Sequence, residues 1–102
     1  MSMENRFENC KILWGKRYRG KFTGAIRYAE AVVKAKDGKL YHVSASYDFD
    51  EWGGYVTADV HEVKEFNEKT KEFKKRHGFI PINSKEEEYL AKLLLEERDD
   101  RG

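Results

Sequence analysis

Residues 28–47, with the sequence YAEAVVKAKDGKLYHVSASY, contain two alternating segments joined by a KDG turn at residues 36–38. A two-residue turn would place the alanines and valines of the first segment on one face with the histidine and serines of the second. A three-residue loop, with Gly38 in the left-handed region, instead aligns them with Tyr41 and Val43. Because this register gives one continuous apolar face, the sequence predicts a hairpin with a three-residue loop.

Further alternating segments flank this hairpin. They cover residues 10–14 and 22–28 before it and residues 55–63 after it, with Gly15, Gly20 and Gly24 expected at turns or bulges. Matching apolar residues places Val43 opposite Val60 in the last of these strands. The sequence therefore predicts an antiparallel sheet of four to five strands.

After the predicted strands, apolar residues no longer recur at every second position but at every third or fourth position. This spacing predicts a first helix through Val63, Phe66, Thr70, Phe73 and His77, ending near Gly78. A second helix is expected to begin at Ser84, with Glu87 completing a capping box and Tyr89, Leu90, Leu93 and Leu94 on one side. The predicted fold class is α+β, with the two C-terminal amphipathic helices packed on one sheet face. We expect Phe66, Phe73, Leu90 and Leu93 to cover Ala31, Val33, Val43 and Ala45.

Size and composition restrict the class of protein. A length of 102 residues favours a single α+β domain over residues 1–102, and a composition of 38% charged, 39% apolar and 14% aromatic residues favours a small, ring-rich core. Apolar runs such as residues 93–95 are far shorter than the roughly 20 residues of a membrane helix. No signal-peptide pattern is visible, and the single cysteine, Cys10, cannot form an intrachain disulfide. We therefore expect a cytoplasmic protein with no membrane contact.

Charge is distributed unevenly along a chain whose net charge is only +1. Residues 12–27 contain five basic residues and no acid, whereas residues 28–63 contain seven acids and three lysines. Cations between planar rings can hold phosphates and stacked bases. The candidate residues for nucleic-acid or anion binding are Lys16, Arg17, Tyr18, Arg19, Lys21 and Arg27. The alternative is a solvated edge strand whose charges prevent aggregation.

Two partial motifs fall in these charged segments. Residues 15–21 match the first seven positions of a phosphate-binding P-loop, but Phe22 replaces the Ser or Thr that binds magnesium. Asp48, Asp50 and Gly53 match three positions of a calcium loop, but Trp52 occupies a ligand position and no helices are expected beside it. We therefore expect neither a metal nor a cofactor.

An acidic loop is expected at residues 48–54. Its candidate protein-docking residues are Asp48, Phe49, Asp50, Glu51 and Trp52. Aromatic residues surrounded by complementary charge are typical of interface centres, so this loop could imitate nucleic acid against a basic partner. The alternative is that the rings of Phe49 and Trp52 fold back over the sheet edge.

A third group of residues follows from the strand register. With Val43 opposite Val60, His42 lies opposite His61, and Ser44 lies between Asp59 and Glu30. Two histidines and two carboxylates on an open sheet face could act as general acid and base on RNA. The candidate catalytic residues are His42, His61, Glu30 and Asp59. The alternative is an ordinary polar sheet surface, which commonly collects such side chains.

These features favour a small non-enzymatic binding protein that acts on nucleic acid or on a nucleic-acid-handling protein. In bulk properties it is typical of phage or mobile-element inhibitors that occupy a partner's surface. Its partner would be a protein, or RNA or DNA, bound through separate acidic and basic surfaces. The alternative function is a metal-independent ribonuclease that uses His42 and His61.

Overall fold

The computed structural model describes residues 5–20 and 26–95 of the chain. In these ranges it is an α+β fold with elements β1 (Lys11–Arg19), β2 (Ile26–Lys34), β3 (Leu40–Asp50), β4 (Gly53–Phe66), β5 (Phe73–Lys75) and α1 (Ser84–Leu95). The strands form one curled antiparallel sheet in the order β1-β2-β3-β4-β5. The predicted class is confirmed, and the five strands agree with the predicted four to five, although β5 lies in a segment that was predicted to be helical. Within the same ranges no helix is long and apolar enough to cross a bilayer.

The β2–β3 hairpin has the predicted register. Ala31 pairs with Val43, which in turn pairs with Val60 on β4. Gly38 closes the loop with a φ of 85°, a conformation that glycine adopts without the cost of a side-chain clash. Its N–H donates to the carbonyl of Ala35 over 2.9 Å. Alternation and one glycine therefore determine the apolar face on which the fold is built.

The core lies between this apolar face and α1. Its buried residues are Phe7, Ile26, Ala29, Ala31, Val33, Ala35, Tyr41, Val43, Ala45, Ala58, Val60, Leu90 and Leu94. The small side chains on the sheet allow the helix to approach closely, and its leucines fill the space between them. Phe7, which the sequence did not single out, packs edge-on against Tyr41 with ring centroids 5.4 Å apart. The N-terminal segment is therefore part of the core.

The prediction of the first helix is wrong. The segment from Val63 to His77 forms the end of β4, a turn and β5, with Phe66 paired to Phe73. Asn67 stabilises the turn, because its side-chain oxygen accepts backbone N–H groups at 2.9 and 3.2 Å. The three-and-four spacing of apolar residues came from a strand, a turn and a second strand. Phe73 consequently packs on the sheet face opposite α1, and neither it nor Phe66 belongs to the core cluster.

The second predicted helix is confirmed as α1, but its capping box lies one residue earlier. The side-chain oxygen of Asn83 accepts the N–H of Glu86 at 2.8 Å, and the Glu86 carboxylate accepts the N–H of Asn83 at 3.1 Å. Arg6 also binds this carboxylate, with Nε 2.8 Å from Oε2, although Glu86 is only 1% exposed. Burial alone would raise the pKa of Glu86, but hydrogen bonds from Arg6 and Asn83 outweigh it and lower the pKa.

Two expected breaks in the sheet are corrected as well. Gly15 lies within β1, opposite Ala31, and the irregularity in this strand falls between Ile12 and Trp14. The acidic loop expected at residues 48–54 is mostly strand, because β3 continues to Asp50 and β4 begins at Gly53. Only the two residues between them form the turn. Gly24 lies outside the described residues.

Candidate functional site

The sheet face opposite α1 carries a polar surface, which we call the polar face. Strand alternation and register place on it Lys16, Tyr18, Tyr28, Glu30, Ser44, Ser46, Thr57 and Asp59. These residues come from four neighbouring strands, and the opposite face of the sheet packs in the core. Their spacing is therefore fixed by backbone pairing.

Glu30 lies at the centre of the polar face and is held from two sides. The Tyr18 hydroxyl donates to Oε2 over 3.2 Å, and His42 Nε2 lies 3.0 Å from Oε1. His42 is only 4% exposed, and burial lowers the pKa of its imidazole despite the hydrogen bond to Glu30, with Lys75 acting in the same direction. Since a carboxylate can only accept, the neutral imidazole donates Nε2–H to it. His42 is therefore a positioning residue for Glu30.

The two histidines pair as predicted, but aromatic rings cover them. His42 lies opposite His61, and the Phe73 ring stacks on His42 with centroids 5.0 Å apart. Phe79 covers His61 at 4.5 Å, and Trp14 contacts Phe73 at 5.5 Å. Within the described part of the chain, the Nδ1 atom of each histidine is buried without a hydrogen-bond partner. The expectation of two exposed histidines on an open face is therefore corrected.

Two tyrosines form an aromatic patch on the same face. Tyr18 and Tyr28 pair across β1 and β2, each is 38% exposed, and their ring centroids lie 5.4 Å apart. The ammonium group of Lys16 lies 5.1 Å from the centre of the Tyr18 ring. Burial raises the pKa of Tyr28, and the negative charges of Glu30 and Asp59 raise it further. The surroundings of Tyr28 therefore disfavour its ionised form, although a hydrogen bond with Ser44 acts in the opposite direction.

The predicted basic residues of β1 are divided between the two faces of the sheet. Lys16 and Tyr18 lie on the polar face, opposite Glu30 and Tyr28. Arg17 alternates to the other face, where its guanidinium group lies 3.5 Å from the carbonyl of Leu93 near the end of α1. A cation near a helix C-terminus is favourable, so Arg17 has a structural partner.

The remaining basic candidates are distributed more widely. Arg27 donates Nε–H to the Tyr47 carbonyl over 3.2 Å, on the side of β3. Arg19 is exposed at the end of β1, opposite Ile26. Lys21 lies outside the described residues. The structure therefore brings together Lys16 and Tyr18 from the predicted basic set.

The acidic candidates lie at the tip of the β3–β4 hairpin. Glu51 and Trp52 form its turn, and Trp52 is 91% exposed. Tyr55 and Val56 follow on β4 and are 45% and 39% exposed. We call this surface the hairpin tip and define it by Asp48, Glu51, Trp52, Tyr55 and Val56. The side chains of Phe49 and Asp50 are outside the described part of the structure.

Sequence reasoning missed three of these functional candidates. Tyr28 shares its face with Glu30 because the two are separated by two positions on one strand, and this spacing was visible in the sequence. Tyr55 and Val56 were assigned to a strand, but nothing in the sequence showed that this end of the strand extends beyond the core. Within residues 5–20 and 26–95, no three His, Cys, Asp or Glu side chains are grouped as metal ligands would be.

Comparison with known proteins gives no match to a family model, a curated protein or a solved structure.

Proposed function

We propose that this chain is a small binding protein that docks through its hairpin tip on the basic, nucleic-acid-binding surface of a partner protein. The observation that carries this proposal is the 91% exposure of Trp52 at the turn of the β3–β4 hairpin. Tryptophan is among the residues most enriched at interface hot spots, because its large ring loses much contact with water on binding. Tyr55 and Val56 are also exposed on β4 near the turn, one on each face of the hairpin.

The hairpin tip is formed by two paired strands. Ala45 and Ala58 are the last buried pair between β3 and β4, and the two strands remain paired for five further positions up to Asp50 and Gly53. Gly53, at the base of the turn, has a φ of 126°. A paired hairpin loses little conformational entropy on binding, which favours affinity from a small contact area.

Charge indicates the kind of partner. Asp48 and Glu51 are exposed beside Trp52, so the tip combines a large ring with negative charge. Proteins that bind nucleic acid present clustered lysines and arginines, and such a surface complements this tip. Direct binding of nucleic acid is less favoured, because Lys16 and Arg17 face opposite sides of the sheet.

Catalysis by the histidine pair is also less favoured. A general base must come within hydrogen-bond distance of the proton that it takes, and His42 is 4% exposed beneath the ring of Phe73. Its Nε2 is already engaged by Glu30. These contacts support a positioning role for His42 in a binding surface.

The test replaces Trp52 by a photo-crosslinking benzophenone amino acid and, as a control, places the same group at Lys92 on the exposed side of α1. Both proteins are irradiated in a lysate of the source cells after nuclease treatment. We expect a crosslink from position 52 to one nucleic-acid-binding protein, and we expect added duplex DNA or RNA to compete with it. The absence of a crosslink from position 52 in the nuclease-treated lysate, or a crosslink that added nucleic acid leaves unchanged, contradicts the proposal.

With the partner identified, Trp52→Ala should weaken its binding by about 30-fold or more, as expected for a hot-spot residue that contributes about 2 kcal/mol. Glu51→Lys should slow association and make it less sensitive to salt. The matched charge reversal Glu88→Lys lies on α1 and should leave both quantities unchanged. Equal effects of the two reversals would show that only net charge matters.

A further inference from the structure

The polar face contains a carboxylate whose position is fixed before any ligand arrives. Glu30 is bonded through one oxygen to Tyr18 and through the other to His42. His42 is itself held in place by the ring of Phe73. Each carboxylate oxygen can accept more than one hydrogen bond, so Glu30 can still receive a donor from a ligand. A preorganised carboxylate binds a cation with little loss of side-chain entropy.

A second carboxylate lies two strands away in the same row. Glu30 pairs with Ser44, and Ser44 pairs with Asp59. Neighbouring strands are about 4.8 Å apart, so the backbones of the two acids are separated by roughly 10 Å across the face. Ser44 lies between the two acids and is hydrogen-bonded to the Tyr28 hydroxyl, so the Tyr28 ring borders the interval between the two carboxylates. Asp59 is exposed at this position.

The tyrosine patch borders this row, and one of its two rings already contacts a cation of the chain itself. Lys16 places its ammonium group 5.1 Å from the centre of the Tyr18 ring. Tyr28, the neighbour of Tyr18, is equally exposed and feels the negative charges of Glu30 and Asp59. A guanidinium or ammonium group over Tyr28 would gain a cation–π contact together with two ionic contacts.

The polar face is continuous with the hairpin tip. Ser46 bonds to Thr57 at 2.9 Å and to Asp48 at 3.2 Å, and Asp48 pairs with Tyr55. Acids therefore follow the same side of the sheet from Glu30 to the tip. Although Lys16 lies opposite Glu30, a basic partner surface would meet the carboxylates of Glu30, Asp59 and Asp48 along this length.

We propose that the polar face binds an arginine or lysine side chain of the partner protein over Tyr28, between Glu30 and Asp59. This inference rests on the proposed function and adds to it the chemistry that the sheet recognises. The single occupant is a cationic side chain on the surface of the partner protein. The same partner protein also contacts the hairpin tip.

The test uses a hexa-arginine amide peptide as the probe and backbone amide NMR of the full chain at low salt. We expect shifts at Tyr28, Glu30, Ser44 and Asp59 that saturate with peptide. Asp59→Asn and Tyr28→Ala should each weaken the affinity of this face by about fivefold, the size of one cation–π or ionic contact of about 1 kcal/mol. Tyr28→Phe should retain the affinity because it keeps the ring.

Glu88→Gln on α1 is the matched control, since it removes one negative charge far from this face; it should change the affinity by less than about twofold. Equal weakening by Glu88→Gln overturns the inference, because binding would then depend only on net charge.

Shifts confined to Glu51 and Trp52 overturn it too but leave the tip proposal intact. Saturable shifts at Tyr28 without any crosslink from position 52 support the cation site and contradict tip docking. An oligonucleotide that gives the same shifts at Tyr28 and Asp59 refutes recognition of a protein cation.

Discussion

Phe73→Ala is the most direct test of how the polar face is built. The ring of Phe73 stacks on His42 at 5.0 Å and contacts Trp14 at 5.5 Å. Full removal of a buried phenylalanine side chain costs about 3–5 kcal/mol. Phe73 is half-buried, so we expect a loss of roughly 2 kcal/mol in the free energy of unfolding. The pKa of His42 should rise at the same time, because water would reach the imidazole while Glu30 still stabilises its charged form.

The assay combines urea unfolding with NMR titration of the histidine ring protons. Phe66→Ala is the control, because Phe66 pairs with Phe73 across β4 and β5 but lies against Lys71 rather than a histidine. It should lower stability without moving the pKa of His42. If Phe73→Ala leaves both the unfolding midpoint and the pKa of His42 unchanged, Phe73 does not cover this histidine, and the account of Glu30 as a positioned carboxylate fails with it.

Three further outcomes are expected. Acid should lower the free energy of unfolding in two steps. Below about pH 6.5 the histidine of the unfolded chain takes up a proton that buried His42 resists in the folded protein. Below about pH 4.3 the lowered pKa of Glu86 causes a further loss of stability. Urea unfolding of His42→Gln should lack the first step, and persistence of that step would assign it elsewhere. Arg6→Ala should cost about 3 kcal/mol by leaving the Glu86 carboxylate buried without its cation, and the added change Glu86→Gln should recover part of this loss in thermal unfolding. Purified protein should not cleave RNA at any pH from 5 to 8; cleavage that disappears in a His42→Ala, His61→Ala variant would instead establish the ribonuclease alternative.

The sheet could be predicted from the sequence because the residues that determine its strand pairing lie close together along the chain. Alternation in β2 and β3, together with Gly38, allows one loop length that produces a single apolar face. Extending the same matching to β4 brought His42 opposite His61 and Ser44 opposite Asp59, as found in the structure. The adjacency of the polar residues therefore required no knowledge of tertiary packing.

The segment at residues 63–77 could not be predicted in the same way. Its apolar residues recur at three and four positions, and its lysines and glutamates favour a helix. The segment forms strands instead of a helix because Val63 and Phe66 continue the pairing of β4. Asn67, together with Lys71 at a φ of 65°, then reverses the chain into β5. Tertiary pairing here overrides local propensity. The capping box moved by one residue for a related reason, since Glu86 also binds Arg6 from a distant part of the chain.

The error at residues 63–77 also determined which residues looked functional. With Phe73 assigned to a helix over the core, His42 and His61 had nothing above them and resembled an exposed catalytic pair. With Phe73 on the polar face, His42 is buried and donates to Glu30, so the accessible group of this pair is the carboxylate. A neutral donor behind a fixed carboxylate suits the binding of a cation better than the transfer of a proton to and from RNA, because His42 is buried beneath Phe73 and its Nε2 is engaged by Glu30. The proposed docking through the hairpin tip and the proposed cation site on the polar face therefore both require a basic surface on the partner.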